Sequence, residues 1–166
     1  MHMPSSLPAL PRPFTEPDFN WAHQLNITHE VELSPLDLSG FTSLVNGAAF
    51  AKVVDPQAGF LICIGQEADY DSPNFLWHRD RLTSFIYVDR IAIDESQRGR
   101  GHAKQLYEAL FEFALTKGIE TIACEVNSDP PNPASDAFHK ALGFEAIGEA
   151  RLAARGKTVR YLAKAL

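Results

Sequence analysis

Arg98-Gly99-Arg100-Gly101-His102-Ala103 stands between the apolar run Tyr87-Val88-Asp89-Arg90-Ile91-Ala92-Ile93 and a long amphipathic stretch. A strand, a glycine turn and a helix start in that order form a device for holding a pyrophosphate. A helix beginning near Gly101 leaves its first N–H groups without partners, and its aligned peptide dipoles place partial positive charge there. Anions bind at such an end. Gly99 and Gly101 let the backbone turn sharply and approach a ligand without a Cβ in the way. Arg98, Arg100, His102 and Lys104 add a basic cluster to a chain whose formal net charge is -6.

Two other phosphate loops fail on the same residues. A Walker loop requires Gly-Lys-Ser/Thr, and the dinucleotide fingerprint requires a third glycine or alanine where this chain has Lys104.

With 166 residues, 45% of them hydrophobic, the chain is long enough for one domain with a real core. The longest apolar runs, such as Phe60-Leu61-Ile62-Cys63-Ile64, fall far short of the ~20 residues that span a bilayer. No basic segment leads into an apolar stretch at the N-terminus, so no secretory signal is expected, and the expected compartment is the cytoplasm. Cys63 and Cys124 each lie inside a strand-like run, which reads as buried free thiols. Neither they nor the six histidines show ligand spacing, so no metal is expected. A pI near 5.4 argues against nucleic-acid binding and is compatible with a cationic amine as partner.

Residues 1–14 read as a proline-rich arm with an edge strand near Leu10 to Phe14, and residues 15–166 as a single domain. Thr15 or Asp18 can cap a helix running through Trp21, Leu25, Ile27 and Val31, and Ser34-Pro35 resembles the start of another. Residues 48–54 and 59–65 read as a hairpin joined at Asp55-Pro56-Gln57. Gln66 to Thr83 reads as a long loop rich in polar and aromatic residues. The strand Phe85 to Ile93 follows. Beyond the glycine turn, Ala103, Leu106, Tyr107, Leu110, Phe111 and Ala114 recur at the spacing of one buried helix face, closed by Gly118. Ile119 to Val126 is the next strand. Asn132-Pro133 starts a helix that Gly143 ends, and Phe144 to Glu149 and Val159 to Ala163 form a final strand pair.

The glycine turn resembles the acyl-CoA loop of the GNAT superfamily of N-acetyltransferases, Arg/Gln-x-x-Gly-x-Gly/Ala, with Arg98, Gly101 and Ala103 at the patterned positions. Asn132-Pro-Ala-Ser135 leading to Phe138-His139-Lys-Ala-Leu142-Gly143-Phe144 is similar to that family's second motif, Asn-x-x-Ser/Ala ending in Phe-Tyr-x-x-Leu-Gly-Phe. With these two motifs in order, the resemblance covers roughly Phe85 to Leu166, about half the chain. The resemblance implies an α/β (α+β) fold: a mixed, mostly antiparallel central sheet of six to seven strands, helices on both faces, and acetyl-CoA in a cleft where strands four and five splay apart. It also implies that the amides of Arg98, Gly99, Arg100, Gly101, His102 and Ala103 hold the pyrophosphate, with Lys104 beside them at the cofactor, that Ile91, Ala92 and Ile93 hydrogen-bond the pantetheine arm, and that Asn132 and Ser135 face it. Where the family often has a tyrosine that protonates the departing thiolate, this chain has His139.

Transfer of an acetyl group to an amine requires a neutral amine, and alkyl amines carry a lysine-like pKa of about 10.4. A carboxylate is then needed to help remove a proton. Asp89 and Glu125 are the candidates, each a charge inside an otherwise apolar strand; the competing reading satisfies them at strand ends. An imidazole at His139 can donate a proton near neutral pH, or cap a helix and pack beside Phe138. Tyr70, Phe75 and Trp77 are candidate walls of an acceptor pocket or pins for the loop, Asp71 a candidate attractor for a cationic amine, and Asn26 a weaker one. The expected activity is acetyl-CoA-dependent N-acetylation of a small-molecule amine or amino acid by direct attack. The alternatives are a peptide or protein amine as acceptor, or an acyl-CoA-binding module with little catalysis; a homodimer is left open.

Overall fold

The computed structural model describes residues 9–166. Its fold is mixed α/β, built on a seven-stranded, mostly antiparallel sheet of strand order β1-β2-β3-β4-β5-β7-β6. The strands are β1 (Arg12–Pro13), β2 (Phe50–Val54), β3 (Gly59–Gly65), β4 (Phe85–Ile93), β5 (Thr121–Asp129), β6 (Glu145–Leu152) and β7 (Lys157–Ala165). Among the described residues five α-helices accompany them: α1 (Asp18–Thr28), α2 (Leu38–Gly47), α3 (Pro73–Arg79), α4 (His102–Thr116) and α5 (Pro133–Ala141). The chain divides into two compact units, one ending at Cys63 and resuming over Arg90–Glu112, the other made of Ile64–Asp89 and Phe113–Leu166.

In the first unit, the hairpin of β2 and β3 is antiparallel, pairing Phe50 with Cys63 and Val54 with Gly59, as the turn residues Asp55-Pro56-Gln57 predict. The two-residue β1 adds to β2 at the sheet edge, where the Pro13 backbone, lacking an N–H, is tolerated. Ala22, Leu25, Phe41, Val45, Val53, Phe60 and Ile62 close the core of this unit. Two helix boundaries differ from expectation. α1 ends at Thr28, leaving Val31 exposed, and α2 begins after Asp37, whose side chain accepts from the Gly40 N–H at 2.7 Å. Asp37 is the cap because its carboxylate reaches the third helical amide.

The amphipathic stretch forms α4, with Leu106, Tyr107, Leu110 and Ala114 fully buried and Phe111 half-buried. It closes as expected: the Ile119 N–H bonds back to the Ala114 carbonyl across Gly118, which takes a left-handed φ of 71°.

In the second unit, β4 and β5 run parallel from Phe85↔Thr121 to Tyr87↔Ala123. Among the described residues their ladder stops there, although β4 continues to Ile93 and β5 to Asp129. β7 lies between β5 and β6 and pairs antiparallel with both, so the last hairpin enters the sheet by its second strand. The expected loop over Gln66 to Thr83 is corrected by the structure: its middle is the helix α3. Pro73 in the first turn favours that helix, and a seven-residue segment is too short to show a hydrophobic period.

Candidate active site

Glu125 of β5 is the centre of a polar network inside the second unit. Its two carboxylate oxygens each accept from the Tyr87 hydroxyl of β4 at 2.7 Å, and Oε1 also accepts from Asn74 Nδ2 of α3 at 3.0 Å. The Asn74 amide is oriented in turn: its Oδ1 accepts from the Tyr161 hydroxyl of β7 at 2.8 Å. Burial pushes the Glu125 carboxyl up to about 7; the neighbouring Asp89 adds to the shift, while the bonds from Tyr87 and Asn74 and the charge of Lys157 oppose it. A carboxyl poised there is half ionised near neutral pH and suits a general base. Tyr87, fully buried and beside two carboxylates, is held well above its ordinary value and stays a proton donor to Glu125.

Asp89 of β4, the second candidate base, accepts from the Tyr70 hydroxyl at 2.6 Å. His78 of α3 is fully buried and donates from Nε2 to the Cys124 carbonyl at 3.0 Å, next to Glu125 in the chain. Burial above all, with Arg81 adding to it, pushes His78 down to about 4, so the ring is neutral.

α3 is held against β6 and β7 by stacking. Trp77 lies 4.0 Å from the Tyr161 ring with planes 14° apart, and the Arg81 guanidinium sits 3.9 Å from the Trp77 ring centroid. Gly148, paired with Tyr161 in the β6–β7 ladder, leaves the space for the indole. A Cβ there would overlap Cζ2 and Cη2 of Trp77. Gly148→Ala is therefore expected to lower stability by about 1–3 kcal/mol, the range for overpacking, and to show it as a lower urea midpoint at unchanged m.

The aromatic candidates thus have packing roles. Phe75 is fully buried and meets Tyr70, Phe85 and Tyr87 at centroid distances of 5.6, 5.9 and 5.8 Å. Trp77 pins α3, and Asp71 is exposed in the turn before it. Asn26, in the first unit, is fully buried: its Oδ1 accepts from Arg90 Nη1 at 3.0 Å and its amide reaches the Ser34 carbonyl at 3.4 Å. Its amide is committed to holding a buried guanidinium.

The glycine turn belongs to the first unit. Asp94 starts a short 3₁₀ turn, Glu95–Gln97, by accepting from the Ser96 N–H at 2.9 Å, and its own N–H bonds to the Ala58 carbonyl at 2.7 Å. Gly99 and Gly101 take φ values of 77° and 82°, a conformation that side chains with a Cβ rarely adopt. The Gln105 N–H bonds to the Gly101 carbonyl at 3.0 Å, which leaves the N–H groups of His102, Ala103 and Lys104 ahead of the regular helical ladder. Arg98, Gly99, Arg100, Gly101 and Lys104 are exposed, and Ala103 is half-buried. These donors and charges fit a diphosphate. One expectation is corrected: His102 is not part of the basic cluster. Its ring is buried with neither nitrogen hydrogen-bonded among the described residues, and burial, with Arg100, pushes its pKa down. In β4 the half-buried Ile91 and Ile93 alternate with buried Ala92.

The second motif, in the second unit, is occupied locally. Asn132 caps α5, accepting from the Ser135 N–H at 3.3 Å. His139 is buried between Phe138 and Phe144, and its Nδ1 donates to the Ser135 carbonyl at 2.8 Å. Burial pushes His139 down, against the pull of that carbonyl and of Asp136. The ring is therefore largely uncharged at neutral pH, which weakens it as an acid.

Asn74 and Tyr161 are the functional candidates that sequence reasoning missed. The Ser72-Pro73 pair signals the helix that carries Asn74, but nothing local points to a partner 51 residues away. Among the described residues no group of three or more His, Cys, Asp or Glu is placed to hold a metal ion, and no helix is long and apolar enough to cross a membrane.

The acetyltransferase (GNAT) family profile matches residues 63–144. The L-methionine sulfoximine/L-methionine sulfone acetyltransferase of Pseudomonas paraeruginosa is 36% identical over 59 residues, 36% of this chain and 33% of that protein. The L-2,4-diaminobutyric acid acetyltransferase of Wolinella succinogenes is 37% identical over 67 residues, 40% of this chain and 39% of that protein. The matched stretch thus spans only about a third of the length of these relatives. A chain in the crystal structure of the NatC complex bound to Gag peptide and CoA has the same fold, with a TM-score of 0.72 at 17% identity over 95% of this chain and 98% of that one. With both motifs, the strand order and the family profile in agreement, the chain belongs to the GNAT family of acetyltransferases.

Proposed function

We propose that the protein is an acetyl-CoA-dependent N-acetyltransferase whose acceptor is the primary amine of a small molecule, an amino acid above all. The observation that carries the reading is Glu125: a carboxyl with limited access to water, held by Tyr87 and Asn74 and poised at about 7. Acetyl-CoA supplies the acetyl group as an activated thioester. The amides of His102, Ala103 and Lys104, with Arg98 and Arg100, bind its pyrophosphate. Glu125 takes a proton from the incoming ammonium, directly or through water, so that the nitrogen lone pair is available for attack. Asp89, held by Tyr70, adds the negative charge that favours a cationic acceptor. Two relatives whose names carry small amino-acid acceptors support that substrate class.

His139 receives a smaller role than its position in the motif implies. With its Nδ1 proton given to Ser135 and its charged form disfavoured, His139→Ala is expected to lose less than the ~10²-fold that marks a general acid.

CoA thiol release from acetyl-CoA tests the assignment against methionine sulfoximine, diaminobutyrate, other amino acids, polyamines, aminoglycosides and short peptides. Release that depends on a small amine is the expected result. Release with peptides alone would replace the acceptor class, and tight acetyl-CoA binding without release from any amine would favour a binding module.

A further inference from the structure

Glu125 does not present two equivalent oxygens. Among the described residues, Oε1 accepts from both Tyr87 and Asn74, whereas Oε2 accepts only from the Tyr87 hydroxyl that straddles the group. A carboxylate accepts and cannot donate, so Asn74 must turn its NH₂ toward Oε1. Its Oδ1 then needs a donor, and Tyr161 supplies one at 2.8 Å. The hydroxyl of Tyr161 is itself fixed, because its ring is buried under Trp77. The order runs from the packing of α3, through Tyr161 and Asn74, to one oxygen of Glu125.

Resting on the reading of Glu125 as base, we propose that Asn74, and Tyr161 through it, is a positioning residue that occupies Oε1 and leaves Oε2 as the oxygen that receives the amine proton. The N–H bond of the ammonium breaks, its electron pair stays on nitrogen, and the proton moves to Oε2. Asn74 donates to the charged form of Glu125 and so favours it. The other ionisable groups around Glu125 are Tyr87 and Asp89 on β4, with Tyr70 bound to Asp89; Lys157 and Tyr161 on β7; and neutral His78 on α3. None of the charged ones is altered when Asn74 is replaced.

The test follows the Glu125 carboxyl carbon by NMR in the full chain across pH, beside the pH profile of kcat/KM, for Asn74→Ala and Tyr161→Phe. Removing a donor to the carboxylate raises its titration midpoint, by about one pH unit in Asn74→Ala and by less in Tyr161→Phe, which keeps the ring against Trp77. A midpoint displaced from about 7 to about 8 leaves roughly one fifth of the ionised base at pH 7. The kcat/KM of Asn74→Ala should fall by that factor there and recover above about pH 9, a recovery that misfolding would not show. Midpoints unmoved or lowered in both variants would overturn the positioning role. Full activity in Glu125→Gln would instead overturn the reading of Glu125 as base, and with it the role of Asn74. The carbon titration needs no turnover, so the two failures are distinguishable.

Discussion

Glu125→Gln is expected to lower kcat by about 10²–10⁴-fold, the range for loss of a general base, while acetyl-CoA binds with unchanged affinity. The substitution keeps the shape of the side chain and an oxygen for the Tyr87 and Asn74 donors, so the loss reports proton transfer and not packing. The proposed pyrophosphate donors lie in residues 98–104, which the change leaves alone. The pH dependence has a definite sign. A base acts when deprotonated, and burial sets the Glu125 carboxyl at about 7, so wild-type kcat/KM should fall as the pH drops below that value. In Glu125→Gln the loss should shrink at high pH, where the amine, with a pKa of about 10.4, sheds its proton unaided. Steady-state kinetics across pH with calorimetry of acetyl-CoA binding would check both halves. A variant within a few-fold of wild type would remove Glu125 from the reaction.

Asp18→Ala carries the largest expected cost in stability, about 3 kcal/mol. Asp18 is buried in the first turn of α1 and accepts five bonds: Arg12 Nη1 and Nη2 at 2.7 and 3.0 Å, the Thr15 N–H and hydroxyl at 2.7 Å each, and the Trp21 indole N–H at 2.9 Å. Arg12 also bonds Asp55, so one guanidinium ties β1 to α1 and to the β2–β3 turn. Arg12 is about one-third exposed, so water replaces part of what it loses and most of the cost falls on the Thr15 and Trp21 donors. Those bonds, above all the one from Arg12, hold the Asp18 carboxyl well below the usual carboxylate range, against burial. A lowered native value makes its contribution complete above the unfolded value of about 3.9 and progressively lost as the pH falls below it. The gap in urea midpoint between wild type and Asp18→Ala should therefore be wide at neutral pH and narrow at about pH 3. A gap independent of pH would assign the loss to packing alone.

The parts of this protein that were legible in its sequence are those whose physics is local. Gly99 and Gly101 must adopt a positive φ for the turn to form, and the α4 face repeats at helical spacing, so the turn and the helix follow from adjacent residues. The β2–β3 hairpin is equally local, and so is the Asn132 cap of α5. The charge of Glu125 inside an apolar strand marked it as a candidate. Elements without a period or with competing caps were less visible: α3 is seven residues long, and α2 starts at Leu38 because the Asp37 carboxylate caps the Gly40 amide.

Sequence alone pointed to the family and determined the glycine turn and a short set of ionisable candidates, because glycine conformations, helix capping and hydrophobic spacing act over a few residues. Tertiary structure decided which of those residues have work to do. Asn26 is committed to Arg90, His102 is buried and neutral, and Trp77 is stacked on Tyr161. The Tyr161 hydroxyl reaches Asn74 across 87 positions of chain, and Asn74 reaches Glu125 across 51. Burial and hydrogen bonding at Glu125 are set by groups brought together only when the sheet and α3 pack, and burial raises the carboxyl to about 7 against the bonds from Tyr87 and Asn74.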